Sequence, residues 1–168
     1  ANQDDARALV KQGIVTAPAP KALAESGSEG WIRAEIRFAV GHRSELLNIT
    51  VLTPQRTSNR KLVVISHGLW DEPASFEGWG RLLAANGYTV LLPSHPGSDA
   101  DQQKDLLSGA AAPPSSEELR FRPLDVSALL DGVEAGTLLT GQQISVDDVA
   151  VVGHSWGATA ALQLSGLQ

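Results

Sequence analysis

The segment Val149 to Gly157, VAVVGHSWG, constrains the fold more than any other part of the chain. An apolar run leads into a serine between two glycines, and the small-residue stretch ATAALQL follows. The spacing predicts a buried strand that turns sharply into a helix, a unit that belongs in an α/β sheet. A turn that tight folds the backbone back against the neighbouring strand and helix, so both flanking positions must be small. Gly153 and Gly157 supply the room. The turn also sets Ser155 at a helix N-terminus, where free N–H groups and the helix dipole favour negative charge.

The preceding sequence supplies neighbours for such a strand. WIRAEIRFAV sets Ile32, Ala34, Ile36, Phe38 and Val40 against Arg33, Glu35 and Arg37, the period of a half-buried strand. ELLNITVLTP follows after the Gly41-His42 turn, so an N-terminal hairpin is expected. KLVVIS and YTVLLPS read as buried strands on either side of SFEGWGRLLAANG, whose Phe76, Trp79, Leu82 and Leu83 recur at helical spacing and place Trp79 in the core. HPGSDADQQKDLLSGAAAPPS reads as a long loop. Ser115 or Ser116 then caps EELRFRPLDVSALLDGVEAG, with Leu124, Leu129, Leu130 and Val133 on one face and Pro123 marking a kink or a fresh start. Residues 1–30, polar and then rich in Ala, Pro, Gly and Ser, read as an arm or linker before a single domain over 31–168.

Composition closes off several functions. Nineteen acidic against thirteen basic residues give a net charge of -6, so nucleic acid is not an expected partner. No apolar run is long enough to cross a bilayer, and cysteine is absent, which removes thiolate metal sites and cysteine nucleophiles. No metal or organic cofactor is expected. Ala1 in place of a methionine suits the position after signal-peptide cleavage, a lean toward an exported protein.

Gly153-His154-Ser155-Trp156-Gly157 satisfies the G-x-S-x-G pattern with a strand before and a helix after, the setting in which a serine acts as nucleophile. Such a serine needs an oxyanion donor from the following residue and a second from the loop after an earlier strand. VVISHGLWDEP occupies that place, which nominates the backbone amides of Trp156 and Leu69 and leaves His67-Gly68 shaping the loop. Trp70 and Trp156 flank this point and form a candidate apolar wall for the substrate.

LVVISHGLWDEPASFEGWGRLLAANGYTVLLPSHPGS, RPLDVSALLDGVE and VDDVAVVGHSWGATAAL together resemble the N-terminal two-thirds of an α/β-hydrolase. The resemblance is to dienelactone-hydrolase-like and platelet-activating-factor-acetylhydrolase-like esterases. It implies a mostly parallel sheet flanked by helices and a Ser-His-Asp hydrolase of small-molecule or lipid carboxylic esters, with Ser155 as nucleophile and no cofactor. Ala158 stands where many relatives carry a second glycine.

In that family the order is serine, acid, histidine, yet His42, His67, His95 and His154 all precede Ser155. Side chains adjacent on a tight turn diverge, so His154 is not an expected base. His67 and His95 end neighbouring strands and are read as holding turns, and His42 as solvated in its hairpin. Asp99, Asp101 and Asp105 fall in the long loop, Asp147-Asp148 at the wrong end of the last strand, and Asp125 beside Arg120 or Arg122 as an ion pair. The expectation is therefore an incomplete domain that lacks the C-terminal strands, with acid and histidine supplied by a further portion or a completing chain. Two alternatives stay open: a non-catalytic module binding through the hydrolase half-fold, and a serine acyltransferase.

Overall fold

A computed structural model of the chain describes residues 30–166. The expected arm lies outside the described residues except for Gly30. Five strands form one mixed sheet: β1 Trp31–Phe38, β2 Leu47–Pro54, β3 Lys61–Ser66, β4 Thr89–Pro93 and β5 Ser145–Gly153, in the order β1-β2-β4-β3-β5. The expected hairpin forms, with β1 antiparallel to β2 from Trp31 opposite Pro54 to Phe38 opposite Leu47. β2 runs antiparallel to β4, whereas β3 is parallel to both β4 and β5. β5 begins four residues before Val149, where the sequence placed its start, because a register shift after Lys61 pairs Lys61 with Ser145 and Leu62 with Val149.

The apolar strands are buried on both faces, and their alternation divides the core in two. Leu62, Val64 and Leu91 face one cluster, closed by Val126, Leu129 and Val133 of the helix α3, which spans Glu117–Glu134. Val63, Ile65, Val90 and Leu92 face the other, closed by Ala84 and Leu83 of α1, Glu77–Ala85. α1 follows a 3-10 turn over Pro73–Phe76 and carries the crossover from β3 to β4. The last helix, α4 at Trp156–Leu164, packs against α3, β3 and β5.

Several elements depart from the sequence reading. Trp79 is 71% exposed and not core. Gly80 decides this: it lies so close to Leu52 and Leu92 that a Cβ there would sit 2.6 Å from one Leu52 methyl, which sets α1 on its glycine face and turns Trp79 outward. Ile32 and Ala34 are exposed, whereas Trp31 packs on the second core cluster and Ile36 and Phe38 on the first. The long loop contains a helix, α2 at Ala100–Ser108. Asp99 caps it by accepting a hydrogen bond from the Gln102 amide, and Gly109 ends it with a left-handed backbone, but none of its residues is buried. α3 continues through Pro123 without a fresh start, and Leu124 is exposed. Its buried face is Arg122, Asp125, Val126, Leu129, Gly132 and Val133.

Candidate active site

β3, β4 and β5 end side by side, and the loops that leave them converge beyond their C-terminal ends, where ligands bind in open parallel sheets. Ser155 stands in the β5 loop with φ 52° and ψ -116°, a left-handed conformation that a residue with a side chain adopts at a cost of about 1–3 kcal/mol. Its side chain is exposed, and no described group is hydrogen-bonded to its hydroxyl.

The flanking glycines are needed for the reason the sequence gives. A Cβ on Gly153 would run into the Gly157 carbonyl, and one on Gly157 into the Ser66 carbonyl. Both collisions are with backbone, so no side-chain rotation relieves them. Gly157→Ala therefore lifts α4 off the end of β3, and urea unfolding should record a loss of about 3 kcal/mol, the upper end for overpacking.

The β3 loop lies against this turn. A Cβ on Gly68 would sit 2.9 Å from His154 Nδ1 and 3.4 Å from Ser155 Cβ. Trp70 is held with φ 60° and donates its amide to the Ser98 carbonyl at 2.9 Å, tying the β3 loop to the β4 loop. Neither the Leu69 amide nor the Trp156 amide donates to another described residue. Trp70 is 37% exposed, whereas the half-buried Trp156 ring lies over the Arg122 guanidinium, 5.7 Å from its carbon. The His154 ring stands 6.0 Å from that of Phe76 and makes no hydrogen bond to Ser155.

Beneath the loops lies a buried polar network. Asp125 accepts four hydrogen bonds, which saturate its carboxylate: from His42 Nε2 at 2.7 Å and Arg43 Nε at 2.6 Å on one oxygen, and from Arg43 Nη2 at 2.8 Å and His95 Nδ1 at 2.7 Å on the other. This corrects two expectations. His42 is largely buried rather than solvated, and Asp125 pairs with Arg43 rather than with Arg120 or Arg122, because the hairpin connection folds over α3. Burial alone would raise the Asp125 carboxyl, but the bonds from His95 and Arg43 outweigh it and hold the group below the ordinary carboxylate range.

His95 receives the Ser66 hydroxyl on Nε2 at 2.8 Å. Ser66, His95 and Asp125 thus repeat the serine, imidazole, carboxylate order of a hydrolytic triad, yet all are completely buried and no ester carbonyl can reach them. Burial pushes His95 down to about 4, so its ring is neutral with the proton on Nδ1. His67 donates from Nδ1 to the Gly68 carbonyl at 2.7 Å and accepts the His95 amide on Nε2 at 3.2 Å. Burial lowers its pKa as well. Both rings hold loops, as expected, and neither has a nitrogen left for proton transfer.

The sequence model of the alpha/beta hydrolase family matches residues 62–167. The chain belongs to the alpha/beta hydrolase family. No curated protein sequence matches it. Among solved structures it is similar to a ferulic acid esterase from Streptomyces cinnamoneus, at TM-score 0.66 and 17% identity over 90% of this chain and 58% of that one. It is also similar to a dienelactone hydrolase from Anabaena variabilis, at TM-score 0.55 and 18% identity over 80% of this chain and 57% of that one. A cold-adapted esterase from an Arctic intertidal metagenomic library gives TM-score 0.56 at 19% identity, over 83% of this chain and 57% of the esterase. The chain therefore spans somewhat over half the length of these relatives. Among its described residues no helix is long and apolar enough to cross a membrane.

The buried network of this alpha/beta hydrolase escaped the sequence reading, although a signal was present. Arg122, Asp125, Val126 and Leu129 are spaced as one helical stripe, so the stripe that buries Val126 and Leu129 must bury two charges with them. The network also sets a pH dependence. His95 titrates near 4 when folded and near 6.5 when unfolded, so between those values the unfolded chain binds a proton that the folded chain refuses. Stability is fully present above about pH 6.5 and falls as pH drops toward 4, by up to ~3 kcal/mol. Thermal unfolding across this range should show that slope, and His95→Gln should flatten it.

Proposed function

We propose that the protein is a serine hydrolase of carboxylic esters, with Ser155 as the nucleophile. The observation that carries the reading is the left-handed backbone of Ser155, on a turn that only glycines can flank, at the N-terminus of α4. A fold that holds a serine in so unfavourable a conformation, with its hydroxyl exposed and unengaged, is storing strain where a reacting group must stand. The similarity to a ferulic acid esterase and to a dienelactone hydrolase supports the ester class.

In this reading Ser155 Oγ attacks the ester carbonyl, and the alkoxide formed accepts hydrogen bonds from the Leu69 and Trp156 amides, neither of which is engaged elsewhere among the described residues. Trp70 and Trp156 border the acyl or alcohol group. The base that takes the Ser155 proton, and the acid that orients it, come from residues beyond this chain, since His42, His67 and His95 are committed elsewhere and His154 makes no hydrogen bond to Ser155. Collapse of the tetrahedral intermediate breaks the ester C–O bond and expels the alcohol, which takes the proton held by the base. Water, deprotonated by the same base, then hydrolyses the acyl-serine to the free acid and regenerates Ser155.

A fluorophosphonate probe applied to the intact protein tests this directly. Peptide mapping should place the adduct on Ser155. Ester turnover with the adduct on another residue, or no adduct and no turnover, would sink the reading.

A further inference from the structure

Arg122 is completely buried, and no carboxylate lies within ion-pair distance of it among the described residues. Its guanidinium is instead spent on the backbone of the two loops. Nη1 donates to the His67 carbonyl, and Nη2 to the Gly68 carbonyl at 3.1 Å and the Ser98 carbonyl at 3.3 Å. Nε and Nη2 both reach the Ser98 hydroxyl, at 3.2 and 3.0 Å. Burial lowers its pKa to about 10, so it keeps its charge at neutral pH. Taking a cation out of water with no carboxylate in contact is costly, and an apolar side chain of similar volume would fill the same place at less cost. Packing does not account for it.

Peptide geometry supplies a reason. Every described peptide bond is trans, and in a trans peptide the C=O and the N–H point in opposite directions. The carbonyl of the Gly68-Leu69 peptide is drawn inward by Arg122 and by His67 Nδ1. The Leu69 N–H must therefore point away from the guanidinium. Gly68 itself lies against Ser155. A cation on the carbonyl also polarises the peptide and strengthens its N–H as a donor. The same guanidinium carries the Trp156 ring, so both candidate oxyanion donors rest on one charge.

We infer that Arg122 is a positioning residue for ester hydrolysis: it clamps the His67 and Gly68 carbonyls inward so that the Leu69 amide faces the oxyanion formed at Ser155. This rests on the proposed function and adds to it a residue that touches neither substrate nor nucleophile.

The test compares the intact wild-type protein with Arg122→Met and Arg122→Lys. For each, kcat and KM are measured on p-nitrophenyl butyrate, with the inhibition constant of an alkyl trifluoromethyl ketone, whose tetrahedral adduct carries the oxyanion. Arg122→Met should lower kcat by roughly 10²–10³, the loss that follows removal of one such donor, with KM little changed. Inhibition by the ketone should weaken in parallel, and Arg122→Lys should recover part of both. A folded Arg122→Met with unchanged ketone affinity overturns the inference, even if its melting temperature falls. Should that variant not fold, Ser98→Ala, which removes the hydroxyl anchoring the guanidinium, replaces it. A several-fold matched fall in kcat and ketone affinity supports the clamp, and no change overturns it. Failure of the parent reading looks different: wild-type protein without turnover and without a fluorophosphonate adduct on Ser155.

Discussion

Ser155→Ala should lower kcat for ester hydrolysis on the order of 10⁶-fold and abolish labelling by fluorophosphonates. In the proposed mechanism the hydroxyl is the group that bonds to the substrate, so its removal would leave at most the roughly 10³–10⁴-fold acceleration over water that an oxyanion hole and binding retain. KM should change little, because the Leu69 and Trp156 amides and both indoles are untouched. A second substitution separates chemistry from backbone. At φ 52° and ψ -116° a glycine is relaxed where serine is strained, so Ser155→Gly should be as inactive as Ser155→Ala but more stable than wild type by about 1 kcal/mol. Parallel measurement of turnover and urea unfolding checks both. Ester turnover within tenfold of wild type in either variant would remove Ser155 from the mechanism.

Asp125→Ala should cost about 3–5 kcal/mol, the range for breaking a buried ion pair from one side. The carboxylate neutralises Arg43, whose side chain is almost fully buried, and accepts hydrogen bonds from two imidazoles at once. Without it Arg43 keeps Glu118 at 3.0 Å and the Pro96 carbonyl at 2.8 Å, but His42 and His95 each lose a partner. Chemical denaturation should show a lower midpoint with an unchanged slope. Asp125→Asn keeps acceptor oxygen on one side only and should fall between the two. A loss below about 1 kcal/mol for Asp125→Ala would mean that the network relaxes around the gap or admits water.

Where the physics is local, the sequence was readable. The apolar run KLVVIS became β3 over the same residues, and the Gly-flanked serine became a turn that excludes side chains at both ends. α2 was missed because it buries nothing, leaving no apolar stripe to detect. Its remaining signals were the cap at Asp99 and the left-handed Gly109, hidden among other turn-forming residues. Trp79 was misplaced because the face of α1 is chosen by what lies opposite Gly80, on strands far away in sequence. Asp125 found Arg43 rather than its helix neighbours for the same reason: the partner arrives with the hairpin, and no local pattern encodes it.

The tie between the β3 and β4 loops governs how the site moves. The Trp70 amide on the Ser98 carbonyl, the bridge between Asp71 and Asp99, and the Arg122 guanidinium spanning both loops are three fastenings across one seam. Neither loop can swing away alone without breaking all of them, so the pair opens as one cooperative unit. Slow opening of such a unit, rather than fraying of a single loop, is what exchange of the Trp70 amide, which crosses the seam, would report.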